Sequence, residues 1–147
     1  MKQLHTEVII EAPTEVVWKI LTDFDAFPEW NPFIRSVAGV VRPGSRLTVV
    51  LHQPDGKPMT FRPTCQRFDQ NKELRWLGKL WVKGVFDGEH IFELYANGDR
   101  THFVQREVFN GILVPLFWKK LNTNTRQGFE AMNAALKERA ENASQNG

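Results

Sequence analysis

The sequence ends in one long helical pattern, and this feature limits the folds that the chain can adopt. From Pro115 to about Arg139, residues that favour burial recur at spacings of three and four, which predicts a single amphipathic helix. At ~1.5 Å per residue the helix would span roughly 37 Å, more than an average globular helix. Its apolar face therefore needs a long partner surface, such as a sheet. The positions on this face are Phe117, Leu121, Thr125, Phe129, Met132 and Leu136.

The preceding residues have the pattern of strands. Alternation over residues 4–10 predicts a first strand, and Pro13 precedes a helical face at residues 16–24. Over residues 34–109, apolar runs alternate with the turn sequences RPGS, PDGKP, DQNK, WVKG and ANGD, which predicts about six further strands in an antiparallel meander. We therefore predict an α+β fold. A curved antiparallel sheet of about seven strands would wrap around one long C-terminal helix, with two short helices after the first strand.

Composition favours one globular domain. The 147 residues are 41% hydrophobic and 24% charged, and we place the domain at residues 1–140 with a flexible tail at 141–147. The net charge of +2 and the dispersed Lys and Arg argue against nucleic acid. Cys65 is the single cysteine, so we expect a reducing compartment and no internal disulfide. Without a secretory signal or a membrane-length apolar segment, we expect a cytoplasmic protein with no stable membrane insertion, as a monomer or weak homodimer.

Three stretches carry a resemblance to a known family. They read APTEVVWKILTDFDAFPEWNPF, LRWLGKL and FNGILVPLFWKKLNTNTRQGFEAMNAALKER. Together they resemble the START-like, polyketide cyclase/dehydrase superfamily, also called SRPBCC, over about residues 3–139. The resemblance implies a helix-grip fold with a hydrophobic cavity between sheet and long helix. That superfamily includes lipid carriers, hormone receptors and cyclases, and no catalytic motif of the aromatic cyclases matches residues of this chain.

Turn lengths allow the strands to be placed in register, because side chains alternate between the two faces of a sheet. We predict a type I′ turn at Asn97 and Gly98 and loops at residues 54–58, 69–72 and 81–85. The predicted opposite pairs are Phe92 with Phe103, His90 with Gln105, Gly88 with Glu107, Phe86 with Phe109, Leu80 with Phe86, Gly78 with Gly88, Trp76 with His90, Cys65 with Trp76, Pro63 with Gly78, Leu51 with Phe61 and Val49 with Pro63. The charged residues predicted to face solvent are Asp87, Glu89, Glu93, His102 and Arg106.

One inward row is nearly empty of side-chain volume. Its members are Val49, Pro63, Gly78, Gly88 and Glu107. Glycine within a strand either permits sharp coiling of the sheet or allows another group to approach the backbone, and both interpretations stay open for Gly78 and Gly88. Pro63 lacks a ladder donor and indicates a bulge that would shift the register.

Polar residues on the inward face indicate a pocket for an amphipathic molecule. A buried Glu107 either pairs with Arg67, predicted to face inward, or with a side chain of the C-terminal helix, or it has a raised pKa and meets a ligand. His90 is either a satisfied core histidine or a ligand contact, and Gln105 would orient it or a bound molecule. The histidines at 5, 52, 90 and 102 lack metal-ligand spacing, and no HExxH, phosphate loop or nucleophile elbow is present. We expect no metal and no cofactor.

The segment FDAFPEWNPF would lie near the open end of the cavity. Its rings Phe27, Trp30 and Phe33 form either a lid or floor of the pocket, or a plug that fills it. Gly128 either permits close approach of sheet or ligand to the helix or is simply tolerated. The candidate ligand-binding residues are Trp30, Phe33, Phe61, Trp76, Gly78, Gly88, His90, Phe92, Phe103, Gln105, Glu107, Thr125 and Gly128.

The sequence therefore predicts a protein that binds a small hydrophobic or amphipathic ligand, such as a lipid, an isoprenoid or a polyketide-like ring. One alternative is a cofactor-free enzyme of the cyclase or dehydratase kind. Another is a chaperone-assisting interaction module, which an exposed apolar patch outside the cavity would favour.

Overall fold

The computed structural model describes residues 1–54, 56–80 and 82–146, without the side chains of Leu80 and Asn146. Eight strands and several helices lie in these ranges. Their bounds are β1 Lys2–Ile10, α1 Thr14–Thr22, a 3₁₀ turn Phe24–Ala26, α2 Phe27–Trp30, β2 Ile34–Ala38, β3 Thr48–Leu51, β4 Met59–Phe61, β5 Thr64–Asp69, β6 Glu73–Leu80, β7 Phe86–Asn97, β8 Arg100–Asn110, α3 Val114–Lys120, a π-helical turn Leu121–Thr125, and α4 Arg126–Asn146.

The strands form a curved antiparallel layer in two parts. Five pair in the order β1-β8-β7-β6-β5 and three in the order β2-β3-β4, and a bridge between Arg46 and Thr64 joins the parts. The division falls at Pro63, between β4 and β5, where proline has no N–H to donate to a ladder. Its carbonyl accepts a hydrogen bond from the Leu47 N–H at 2.8 Å. The predicted α+β helix-grip fold is thus confirmed, with a break in the sheet at Pro63.

The last helical segment runs from α3 through the π-helical turn into α4 and packs on β1, β8 and α1. Phe129, Met132 and Leu136 are fully buried, as the spacing predicts, but Phe117 is partly exposed because the wide turn changes the helical phase before Arg126. The predicted end near Arg139 is wrong, since α4 continues to Asn146. In the described part of the chain, no helix combines the length and apolarity needed to cross a membrane.

The β7–β8 hairpin corrects the predicted register. The turn residues are Gly98 and Asp99, and Asn97 pairs with Arg100. Because Gly98 takes a positive φ of 62° as the first turn residue, the turn has the glycine-first type II′ pattern instead of type I′. His90 therefore lies opposite Glu107, and the other predicted pairs of this hairpin shift equally. The shift is two positions, so every side chain keeps its predicted face.

The remaining pairings are partly as predicted. The three β6–β7 pairs, including Gly78 with Gly88, are confirmed, and so is Cys65 with Trp76. A bulge at Gln66 makes Cys65 and Trp76 oppose each other despite a loop shorter than predicted. This bulge also turns Arg67 outward, so the predicted inward position of Arg67 is wrong.

In the smaller sheet, Val49 pairs with Phe61 and Leu51 with Met59, so both predicted β3–β4 pairs are wrong. The loop is longer than predicted, and Asp55 within it lies outside the described residues. Pro63 belongs to no strand and therefore pairs with neither Val49 nor Gly78. The Trp81 end of the predicted 81–85 loop also lies outside the described residues.

The aromatic segment FDAFPEWNPF is held by its own polar groups. The Asn31 side-chain oxygen accepts hydrogen bonds from the N–H groups of Phe33 and Ile34, both at 2.9 Å. Arg35 donates to the Asn31 carbonyl at 2.9 Å. Phe33 is thereby directed into the core, where its ring lies against Gly128 and 5.5 Å from the Phe129 ring centroid. For Phe33, the structure matches the plug interpretation.

We predict that Gly128→Ala destabilises the protein, although alanine is the better helix former by about 1 kcal/mol. An added Cβ would meet the buried ring of Phe33, with Cε1 only 2.6 Å away, and overpacking of this kind costs about 1 to 3 kcal/mol. Urea unfolding measures the difference. In a Phe33→Leu background the same substitution should be neutral or stabilising; a gain of stability in the wild-type background would contradict the close packing of ring and helix.

Candidate functional site

A chain of buried hydrogen bonds joins the large sheet to α4. The Gln105 side chain on β8 donates through Nε2 to Asn133 Oδ1 at 2.7 Å and to the Phe129 carbonyl at 3.4 Å. Asn133 Nδ2 donates to Thr6 Oγ1 at 2.9 Å, and Thr6 Oγ1 donates to the Gln105 carbonyl at 2.7 Å. Each of these donors has a defined acceptor, which fixes the orientation of both amides.

These hydrogen bonds determine the tautomer of His90. The Phe129 carbonyl can only accept, so the NH₂ group of Gln105 faces α4 and its Oε1 faces His90 Nε2, at 2.9 Å. His90 Nε2 must therefore carry the hydrogen, and Nδ1 is left with a lone pair. Burial lowers the pKa of His90 to about 4, while the hydrogen bond to Gln105 acts in the opposite direction. The imidazole is consequently neutral near pH 7.

Glu107 faces the free nitrogen of this imidazole. Its Oε1 lies 3.7 Å from His90 Nδ1, too far for a hydrogen bond. Burial raises the pKa of Glu107 to about 8, so the carboxyl group is protonated near neutral pH. The Glu107 side chain is 18% exposed and makes no hydrogen bond within the described residues. Its O–H is therefore available to a ligand.

The two strand glycines make room for neighbouring side chains. A Cβ on Gly88 would collide with Glu107 Oε2, whereas one on Gly78 would lie 3.6 Å from Phe61 Cδ2, an ordinary contact. The row predicted to be empty is therefore occupied by the carboxyl group of Glu107 at one glycine and the ring of Phe61 at the other. Close approach to the backbone is the interpretation that the structure favours.

Aromatic rings surround the imidazole. His90 stacks on Phe92 at 4.4 Å and lies 4.8 Å from Phe129 and 5.5 Å from Trp76, measured between ring centroids. Phe103 continues the wall at 6.4 Å from Phe92. The indole Nε1 of Trp76 is buried without a hydrogen-bond partner among the described residues. The interior thus contains an unused N–H donor as well as the carboxyl group.

Part of the inward face is less deeply buried around Glu107. Along β7 the side chains change from buried His90 to partly exposed Phe86, and along β8 Glu107 is partly exposed between buried Gln105 and buried Phe109. Phe61 and Gly78 are also partly exposed. The packed interior is therefore partly open beside Glu107, Gly78 and Phe61, while Phe109 closes it on the α3 side through contacts with Phe86 and Trp118.

Two predicted site residues lie apart from this cluster. Trp30 is half-buried and lines a surface depression of about 280 Å³ with Ile20 and Arg139, away from Glu107. Thr125 is buried in the π-helical turn, and its hydroxyl has no hydrogen-bond partner among the described residues. Arg67 is 55% exposed and forms ion pairs with Asp69 and Glu73, so its predicted pairing with Glu107 is wrong.

Sequence reasoning missed Thr6, Asn133 and Phe129 as members of the site. Thr6 occupies an inward position of β1, and Asn133 falls one turn after Phe129 on the buried face of α4. A polar residue at a position that the periodicity assigns to the core was the available signal.

The structure also buries Cys65, and burial raises the pKa of its thiol. Among the described residues no cluster of three or more His, Cys, Asp or Glu side chains could bind a metal.

Comparison with known proteins identifies several with the same fold. A protein from Thermus thermophilus is 21% identical, with a TM-score of 0.74 and coverage of 97% of this chain and 99% of that one. The Zhui aromatase/cyclase from Streptomyces sp. R1128 is 17% identical, with a TM-score of 0.74 and coverage of 95% and 93%. A START superfamily protein from Mycobacterium smegmatis is 21% identical, with a TM-score of 0.73 and coverage of 96% and 98%. These structures support the fold alone.

A search among curated proteins found no match. A family model described as polyketide cyclase / dehydrase and lipid transport matches residues 1–141. The match extends over nearly all of β1 to α4, including the inward face that carries Glu107 and His90. The chain therefore belongs to the polyketide cyclase/dehydrase and lipid transport family.

Proposed function

We propose that this protein binds a small hydrophobic or amphipathic molecule between the large sheet and the last helix, in the cytoplasm and without a cofactor. The molecule is a lipid, an isoprenoid or a polyketide-like ring that carries an oxygen near one end. The observation that carries this proposal is the carboxyl group of Glu107, which lies partly exposed beside an aromatic interior and makes no hydrogen bond within the described residues. Burial raises its pKa to about 8, which favours the protonated form near neutral pH. Both activities named in the family description, cyclisation and lipid transport, involve such molecules.

Glu107 suits recognition of a neutral oxygen. A protonated carboxyl group donates one hydrogen bond, so a carbonyl or hydroxyl oxygen of the ligand would accept from it. The aromatic wall of Trp76, Phe92 and Phe103 would contact the apolar part. This combination of apolar lining and few polar groups is typical of small-molecule sites.

Phe61 would control access to the interior. It belongs to the short strand β4 of the smaller sheet, is partly exposed, and lies over Gly78. Because the two sheets meet through the bridge between Arg46 and Thr64, β4 can move without breaking the ladder of the larger sheet. Displacement of its ring would uncover the backbone beside Glu107.

The test is native mass spectrometry of freshly purified protein, followed by extraction and identification of any bound molecule. We expect one lipid-like or polycyclic species in place of a random mixture. If none co-purifies, titration with a long-chain fatty acid, an isoprenoid alcohol and a polycyclic phenol replaces extraction. Absence of binding throughout would contradict the proposal.

Gly88→Ala is expected to weaken this binding about two- to tenfold, the effect of losing one hydrogen bond of about 0.5 to 1.5 kcal/mol. The new Cβ displaces the carboxyl group of Glu107 from its position over the backbone. Isothermal titration with the extracted molecule measures the change. Gly78→Ala is the matched control, because its Cβ makes only an ordinary contact with Phe61 and should leave affinity unchanged. Equal losses in the two variants would indicate that sheet curvature, and not the carboxyl group, matters.

Stability should fall as pH rises from about 6.5 to 8. In this window the unfolded chain has an ionised Glu107, with its ordinary pKa of 4.5, while the folded state keeps the proton up to a pKa of about 8. The folded state thus binds more protons, and the free energy of unfolding decreases by about 1.4 kcal/mol per pH unit. Urea unfolding at several pH values measures this slope.

His90 opposes this effect at lower pH. Its pKa falls from 6.5 to about 4 on folding, so its contribution to stability rises with pH between these values. From about pH 4.5 to 6.5 the two slopes nearly cancel. Glu107→Gln should therefore abolish the loss of stability above pH 6.5 and expose a rise below it. A Glu107→Gln protein that keeps the wild-type slope above pH 6.5 would contradict the buried, protonated carboxyl group.

A second candidate function is a cofactor-free cyclase or dehydratase. It is favoured by the 3.7 Å approach of Glu107 and His90, because the protonated carboxyl group is an acid and the neutral Nδ1 is a base. Glu107 would donate a proton to a substrate oxygen while His90 accepts one from carbon. Glu107→Gln keeps a hydrogen-bond donor, so it should retain affinity for the extracted molecule and abolish its turnover. Unchanged turnover would exclude Glu107 as the acid.

A further inference from the structure

The α3 end of the fold exposes a group of large apolar side chains. The exposed fractions are 79% for Ile112, 74% for Leu116, 66% for Val82 and 38% for Phe117. Backbone hydrogen bonds hold the contributing segments together: the Ile112 N–H donates to the Gly84 carbonyl at 3.1 Å. These four residues form one surface, which we call the α3 patch.

The α3 patch is anchored to the core. The ring of Phe117 lies 5.9 Å from Phe86, and Trp118 lies 6.4 Å from Phe109. Gly111, with a φ of 134°, packs against the Val85 carbonyl, a contact that a side chain would prevent. The apolar side chains of the α3 patch are therefore held in place by packing against the core.

Basic residues outnumber acidic ones around the α3 patch. Residues 79–87 and 108–129 contain one acidic residue, Asp87, which lies opposite Lys79 and accepts a hydrogen bond from the Gly84 N–H at 3.1 Å. Their basic residues are Lys79, Lys83, Lys119, Lys120 and Arg126. The four lysines are exposed and form no ion pair within the described residues. Lys2 adds a further cation, 5.6 Å from the ring centroid of Trp118.

This combination distinguishes between two kinds of partner. Interfaces between proteins are depleted in lysine relative to the rest of the surface. Surfaces that rest on membranes combine aromatic and aliphatic tips with lysines that attract anionic headgroups. We propose that the α3 patch docks reversibly on a lipid surface that contains anionic lipids. Ile112, Leu116 and Phe117 enter the headgroup region, and the lysines contact phosphates.

Sedimentation with lipid vesicles tests this proposal on the full chain. Wild-type protein should bind vesicles of phosphatidylcholine mixed with phosphatidylglycerol, bind phosphatidylcholine alone much less, and lose affinity as salt is raised. Lys119→Glu with Lys120→Glu should weaken binding at least about tenfold. Ile112→Ser with Leu116→Ser should weaken it by a similar factor, because these side chains are exposed in the free protein and buried only on docking.

Matched controls lie on other elements. Lys19→Glu with Lys72→Glu changes the net charge equally, and Ile9→Ser with Tyr95→Ser removes two exposed apolar side chains from the outer face of the sheet. Both should bind the mixed vesicles like wild type. Thermal melts by circular dichroism show whether each variant is folded, and a double variant that unfolds is replaced by its single substitutions.

Three results would overturn the proposal. The first is that wild-type protein does not bind the anionic vesicles. The second is that the control variants lose as much affinity as the patch variants. Alternatively, a concentration-dependent dimer, abolished by Ile112→Ser with Leu116→Ser, excludes vesicles, which assigns the α3 patch to a second copy of the chain. Because vesicle binding is measured without an interior ligand, its failure would not contradict the proposed binding of a small molecule.

Discussion

The buried side-chain amide of Gln105 is the interaction on which the rest of this structure depends. Through Asn133 and Thr6 it joins β8 to α4 and β1, and through its oxygen it selects one tautomer of His90. An unpaired polar group in this apolar layer would cost about 1 to 3 kcal/mol, so the helix cannot slide or rotate along the sheet without losing the whole set of hydrogen bonds. The same hydrogen bonds therefore hold α4 in position and select the tautomer of His90.

The two strand glycines and the break at Pro63 complement this rigid region. Glu107 and Phe61 fill the space over Gly88 and Gly78, and only Phe61 belongs to the smaller sheet. The carboxyl group is thus carried by the long, fully paired strand β8, while the ring beside it is carried by the three-residue strand β4. A polar group on a long paired strand beside an apolar ring on a short strand is a suitable arrangement for admitting a ligand without disturbing the group that recognises it.

Much of this could be predicted from sequence, and the failures have physical causes. Strand faces were correct for Trp76, His90 and Glu107 because alternation is a local property that a two-position shift preserves. The β7–β8 register failed because the choice of turn depends on the backbone conformation of Gly98. The outward direction of Arg67 depends on the bulge at Gln66, which no residue type in β5 indicates. Asn133 and Thr6 join the site only through tertiary contact, and the half-buried position of Trp30 beside Phe27 depends on how α2 meets α4.

The π-helical turn Leu121–Thr125 makes the length of this region more important than its individual residues. The Thr123 hydroxyl donates a hydrogen bond to the Lys119 carbonyl at 2.9 Å, so the widened backbone has its own support. Since an α-helix advances about 100° per residue, deletion of a single residue here would rotate α3 by roughly that angle relative to α4. Phe117 would leave Phe86 and the exposed apolar face would point elsewhere. The number of residues in the turn therefore determines which side of α3 faces the sheet and which side carries the exposed apolar residues.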